Sequence, residues 1–205
     1  MTLKTSSTSV SSTSRAGRPR NPETEREIIA AAANILIEEG YGALTMEGVA
    51  ARANVGKMTV YRRWKSRSDL VLTVLDEANR AWSMPKPRPE ATSIAEDLRA
   101  LYRNWVSGIK GPGKVIPILI AEAIQNPDLA AMLHERFVFP RRLLAIAAIN
   151  RAIERGEISS EADSETAIDM LLGRMWFHQL VTGKPIRAAD EEKVISLLLN
   201  GLKNI

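Results

Sequence analysis

The stretch TMEGVAARANVGKMTVYRRW, residues 45–64, decides the fold. It reads as two short helices joined by a tight bend. Val49, Ala50 and Ala53 give the first helix an apolar face, Val55 fills the bend, and Val60, Tyr61 and Trp64 continue the apolar surface on the second. Small residues at 50 and 53 let two backbones cross closely, as a helix-turn-helix requires. Thr45 is suited to cap the first helix. Asn54 stands where the bend demands a left-handed residue, a conformation Asn tolerates better than most. The second helix is expected to turn Lys57, Met58, Thr59, Tyr61, Arg62 and Arg63 to solvent, a surface of donors with little acidic charge. Such a helix suits a DNA major groove, with its first turn at base edges and the rest near phosphates.

Upstream, residues 23–39 form a helix with Ile28, Ala32, Ile35 and Leu36 at helical spacing. Glu23, Glu25 and Glu27 favour its positive N-terminus, and Gly40 ends it. Downstream, Ser66 and Asp69 match a capping box that opens a helix to about Trp82, with Leu70, Val71, Val74, Leu75 and Ala78 along one stripe. This helix runs from the reading head into the remainder of the chain and is the expected mechanical link. The residues from Arg26 to Leu75 resemble the N-terminal domain of the tetracycline-repressor-like (TetR) family of bacterial transcriptional regulators. The first helix, Gly40-Tyr41, Thr45, Val49-Ala50, Ala53, and Tyr61 followed three residues later by Trp64 all meet that pattern. Two positions depart from it. Asn54 replaces the usual Gly, and Gly56 stands where Ser or Thr often caps the recognition helix.

Charge is placed unevenly along the 205 residues. Residues 1–68 hold 11 Lys and Arg against 6 Asp and Glu; the rest hold 17 against 18. The excess that makes the net charge +4 therefore lies wholly with the helix-turn-helix, the footprint of a nucleic-acid binder confined to one end. Residues 1–22 are Ser/Thr/Pro-rich and read as a disordered basic arm. Arg18 and Arg20 there suit either a minor-groove hold or a solvated tail. Zero Cys excludes a disulfide framework and thiolate metal sites. No apolar run reaches the ~18 residues of a membrane span, and the N-terminus lacks a signal-peptide core. The expectation is a soluble, cytoplasmic protein with no membrane partner.

The remainder, residues 69–205, reads as helical throughout, so the fold class is all-α: a three-helix head over 23–68 and a larger helical body. Pro85, Pro87 and Pro89 break the chain after the linking helix. Further helices begin at the Ser93 capping box, at Asn126-Pro127 and at Asp163 or Ser164, with a kink expected at Phe139-Pro140. Residues 165–182 are apolar around most of the helix, and 190–203 carry a second stripe. A two-fold four-helix contact using Ile168, Leu171, Leu172, Trp176, Ile195, Leu198, Leu199 and Leu202 would bury both and pair two heads, although an ordinary internal core would also account for them. The TetR resemblance likewise implies a homodimer through the last two helices.

Catalytic signals are absent. The two His, His134 and His178, belong to no metal or nucleophile motif, no phosphate loop occurs, and no cofactor is expected. An apolar pocket between the C-terminal helices is a candidate ligand site, with Tyr102, Trp105, Met132, Phe137, Met175 and Trp176 among its walls and His178 and Gln179 as polar members. The same residues could equally be plain core. The resemblance implies an effector pocket in that region without identifying the ligand. The expected function is a dimeric repressor of a palindromic double-stranded operator, released by a small-molecule effector. In that reading Lys57, Met58, Thr59 and Arg62 approach base edges, while Thr45, Tyr61, Arg63 and Lys65 contact phosphates. An effector-independent, architectural DNA binder and a helical enzyme with a DNA-binding-like head are the competing expectations.

Overall fold

The computed structural model describes residues 21–85 and 93–203, and the described residues contain helices and turns but no strand. Arg18, Arg20, Pro87 and Pro89 lie outside them, as does most of the N-terminal arm. The first three helices are α1 (Pro22–Glu39), α2 (Met46–Arg52) and α3 (Lys57–Tyr61). Asn21 caps α1 through Glu23 N at 2.9 Å, and Pro22 sits in its first turn. Gly40, at φ 87°, stops α1 and returns its N–H to the Leu36 carbonyl. The bend after α2 turns through Asn54 at φ 51°, among the described residues the one non-glycine at positive φ. Val49 and Val60 are fully buried where α2 and α3 cross, in one core with Ile28, Ala32 and Leu36 of α1.

Helix α4 (Arg67–Ala81) starts in the expected capping box: Ser66 Oγ accepts from Asp69 N, and Asp69 Oδ2 accepts from Ser66 N, each at 3.1 Å. It packs along α1 at one end and enters the body at the other. The body comprises α5 (Ile94–Lys110), α6 (Ile116–Ala123), α7 (Pro127–Leu133), α8 (Phe139–Glu154), α9 (Ser164–Phe177) and α10 (Glu191–Lys203). α5 packs on α8 and α10, and α9 lies against α8 and α10. A bidentate contact from Arg99 to Glu192, and one from Arg103 to Glu191, fasten α5 to α10.

The expected irregularity at Phe139-Pro140 is a wide π turn over 134–138 joining α7 to α8. Pro140 has no N–H, so the Arg136 carbonyl four residues earlier loses its helical donor. The Asn79 side chain of α4 supplies the missing donor at 2.9 Å.

The C-terminal stripes need correction. Ile168, Leu171, Ile195, Leu198 and Leu202 are buried inside the chain's own core, and Leu172, Trp176 and Leu199 are half-buried against it. The apolar side chains left open on these two helices and the turn after them are Met170, Phe177, Leu180, Val181 and Leu197. Met170 and Leu197 border one shallow groove between α9 and α10. A helix apolar all round has both an inward and an outward face, and its sequence alone does not tell them apart.

Candidate nucleic-acid interface and ligand cavity

The outer surface of the head is carried by α3 and the turn before α2. Thr45 Oγ1 accepts from Gly48 N at 3.0 Å and fixes the start of α2. Gly56 begins α3 without a side-chain cap, leaving its first amide donors open. Lys57, Met58 and Arg62 project from this short helix, and Met58 is 78% exposed. Thr59 is half-buried. Tyr61 is exposed, but its hydroxyl donates to Glu47 Oε1 at 3.0 Å, which ties α3 to α2. That hydrogen bond, after one from Glu47's own backbone, holds the Glu47 carboxyl below its ordinary range and raises the Tyr61 hydroxyl. Lys65 is exposed just beyond the helix.

Arg63 differs from expectation. Its side chain is only 9% exposed and turns back toward α1, donating to the Thr59 carbonyl of α3 and to the Asn21 carbonyl before α1, and it stands 3.9 Å from Glu25. The spacing Tyr61-Arg62-Arg63 placed it beside exposed neighbours, whereas packing against the start of α1 draws it inward. Arg52 braces the other side, pairing with Glu38 and, at 2.7 Å, with Glu39. Trp64, buried at the end of the reading segment, donates from Nε1 to Thr73 Oγ1 of α4 at 2.8 Å. The reading helix is thus fastened directly to the helix that enters the body.

At the far end of α4, Trp82 is inserted between α5 and the turn after it. A Cβ on Gly108 would lie 1.9 Å from the Trp82 ring, and one on Gly113 2.4 Å away, so both positions must be bare. The indole N–H donates to the Asn104 carbonyl at 2.9 Å. Trp105 and Phe137 meet the ring edge-on and tilted, at 6.3 and 5.4 Å between centroids. These groups line a cavity of about 60 Å³ together with Met84, Leu101, Met175, Trp176 and Arg141.

Four of the residues expected at a pocket line this cavity: Trp105, Phe137, Met175 and Trp176. Tyr102 is instead core, its hydroxyl donating to the Arg187 carbonyl at 3.0 Å. Burial, the largest influence on it, pushes its ionisation upward. Met132 packs on the core elsewhere, His178 sits edge-on to Phe177 in the turn after α9, and Gln179 is exposed. Trp82, Asn104 and Arg141 escaped sequence reading, since each reaches the cavity through contacts with distant elements. No cluster of His, Asp and Glu able to hold a metal occurs among the described residues. No helix among them is long and apolar enough to cross a membrane.

A basic helix-turn-helix head on an all-helical body defines a DNA-binding regulator. Comparison with known proteins agrees. Residues 28–74 match the family model "Bacterial regulatory proteins, tetR family", and residues 88–198 match "Tetracyclin repressor-like, C-terminal domain". An HTH-type transcriptional regulator of Bacillus subtilis, YdeS, is 30% identical over 94% of this chain and 94% of its own length. Rv1556 of Mycobacterium tuberculosis, likewise an HTH-type transcriptional regulator, is 34% identical over 83% of this chain and 85% of its own. Among solved structures, the TetR family transcription regulator SCO0332 superposes with a TM-score of 0.62 at 28% identity, covering 87% of this chain and 98% of that one. The chain belongs to the TetR family of bacterial transcriptional regulators.

Proposed function

We propose that the protein is a homodimeric repressor that binds a palindromic operator and is released when a small molecule enters the body. The observation that carries this reading is a continuous link. Trp64 joins the reading helix to Thr73 midway along α4, and Trp82 at the C-terminal end of that helix walls the cavity. A ligand that displaces Trp82 therefore acts on the segment that orients α3. To switch the operator off, it must bind one setting of α4 more tightly than the other; equal affinity would shift nothing.

Lys57, Met58, Thr59 and Arg62 are assigned to base edges, with Met58 suited to a thymine methyl. Thr45, Tyr61 and Lys65 are assigned to phosphates, and Arg18 and Arg20 to the minor groove beside the site. Arg63, turned inward, is better suited to bracing α3 on α1 than to a phosphate. The division into a head over 23–68 and an effector-binding, dimerising body over 69–205 follows from these roles. Dimerisation is assigned to the exposed apolar side chains Met170, Phe177, Leu180, Val181 and Leu197, of which Met170 and Leu197 border one groove between α9 and α10, because clustered exposed apolar groups mark an interface.

The test replaces Met170 and Leu197 together by Asp and measures mass by sedimentation and operator binding by anisotropy. The reading requires a folded monomer whose operator affinity falls by at least about tenfold, since one head must bind without its partner. A variant that stays dimeric, or a monomer that binds as tightly as the wild type, would refute it.

A further inference from the structure

The cavity contains one charged residue, and its placement is not explained by the apolar walls around it. Arg141 of α8 lines the cavity with its guanidinium 4.0 Å from the Phe137 ring centroid and 5.1 Å from that of Trp82. Its hydrogen bonds go to neutral acceptors: Asn79 Oδ1 at 2.9 Å, the Trp82 carbonyl at 2.7 Å and the Phe137 carbonyl at 3.4 Å. Its Nε is buried without a partner, and no carboxylate pairs with it among the described residues. Neighbouring arginines do have carboxylate partners. Arg142 reaches Glu165 and Asp169, Arg136 reaches Asp76, and Arg151 reaches Asp97.

Buried charges are ordinarily paired, because taking a guanidinium out of water costs several kcal/mol that neutral acceptors only partly return. That cost is visible in Arg141, whose ionisation burial pulls down to about 10. The contact with the Trp82 carbonyl, at the C-terminal end of α4, recovers part of it through the helix dipole. The planar fork matches a carboxylate in two-point geometry, so a carboxylate can replace the neutral acceptors now held by Nη1 and Nη2.

We infer that Arg141 receives the carboxylate of the effector, and that the cavity takes an amphipathic organic monocarboxylate whose apolar body lies among Trp82, Trp105, Phe137 and Trp176. This rests on the effector reading above. A single negative charge balances the single cation, and the lining residues include no second cation for a dianion. The inference also supplies a release step. The acceptors that Arg141 gives up to the carboxylate, Asn79 and the Trp82 carbonyl, both belong to the end of α4. A cavity of about 60 Å³ is smaller than the roughly 150 Å³ that houses benzene. Admission of a ring therefore requires it to widen, and breaking the Arg141–Trp82 bond widens it.

The experiment compares 2-naphthoate, 4-phenylbutyrate and decanoate with their uncharged primary amides. Affinity is read by calorimetry and by tryptophan fluorescence on the full chain, with operator occupancy followed in parallel. At least one acid should bind at least about tenfold tighter than its amide, the difference expected for a hydrogen-bonded charge. Arg141→Met should bring the acid down to the amide's affinity while leaving the amide within about threefold, and Arg141→Lys should restore part of the preference. Thermal melts establish that each variant is folded. An acid and amide of equal affinity, no binding by any acid, or equal losses for both in Arg141→Met would overturn the inference. Amides that bind as tightly as their acids and displace the operator would leave the effector reading standing while this one fails.

Discussion

Replacing Gly108 by Ala tests whether Trp82 is held as the geometry requires. In most helices this change stabilises, because Gly costs roughly 1 kcal/mol relative to Ala in a helix interior. Here the added methyl carbon falls 1.9 Å from Trp82 Cε2 and Nε1, well inside van der Waals contact. The ring cannot simply slide away, since Asn104 holds its N–H, Gly113 backs its other edge, and Trp105, Phe137 and Arg141 surround it. Overpacking of this kind costs about 1–3 kcal/mol, and its ceiling is ejection of the indole, about 3–5 kcal/mol. Set against the propensity gain, a net loss of about 2 kcal/mol follows, or about 4–8 °C in Tm for a chain of this size. Trp82→Ala alone should cost about 3–5 kcal/mol. In that background the clash is gone, and Gly108→Ala should stabilise by up to about 1 kcal/mol. The sign reversal, a coupling of about 3 kcal/mol, is read from urea denaturation of the four proteins at one fixed concentration. Gly108→Ala that is neutral or stabilising in the wild type, or equally costly in both backgrounds, would refute the account of Trp82.

The head and the cap of α9 supply further tests. Arg62→Ala should change sequence preference by about 1–3 kcal/mol at one base pair, whereas Lys65→Ala should weaken all duplexes alike and flatten the salt slope by about one phosphate contact. Arg63→Ala should lower stability and leave that slope unchanged, since its partners are Thr59, Asn21 and Glu25 rather than solvent. Asp163, which caps α9, is held below the ordinary carboxylate range by the Thr166 hydroxyl first and then by the Thr166 and Glu165 amides. A folded-state value below the unfolded one stabilises above the unfolded value, 3.8, and that stabilisation is lost as pH falls through the lower folded value. Asp163→Asn should therefore lose less stability than the wild type between about pH 6 and about pH 3, measured by denaturant unfolding. Equal losses would contradict the role given to this carboxylate.

Much of the head was legible because its signals are local. Thr45, Asn54, Gly40 and the Ser66–Asp69 box each act within about four residues of sequence, and each stands where its side-chain chemistry directed. Arg63 was misplaced because its position depends on the start of α1, 42 residues away at Asn21. The cavity was only half legible for the same reason. Aromatic periodicity found Trp105, Phe137, Met175 and Trp176, but the seating of Trp82 depends on one glycine in α5 and another in the turn after it. Nothing in FPRRL distinguishes Arg141 from Arg142, although one faces the cavity and the other faces Glu165 and Asp169. On α9 and α10 the apolar residues were correctly recognised, but their division between core and open face is set by α5 and α8.

The central claim is that two exposed reading helices act together on one duplex. Selection of random duplexes by the purified full chain, with stoichiometry measured on the winning sequence, tests it most directly. The account predicts an inverted repeat with half-sites about one helical turn apart and two protomers per duplex. An enriched sequence without two-fold symmetry, a single bound protomer, or no enrichment at all would contradict it.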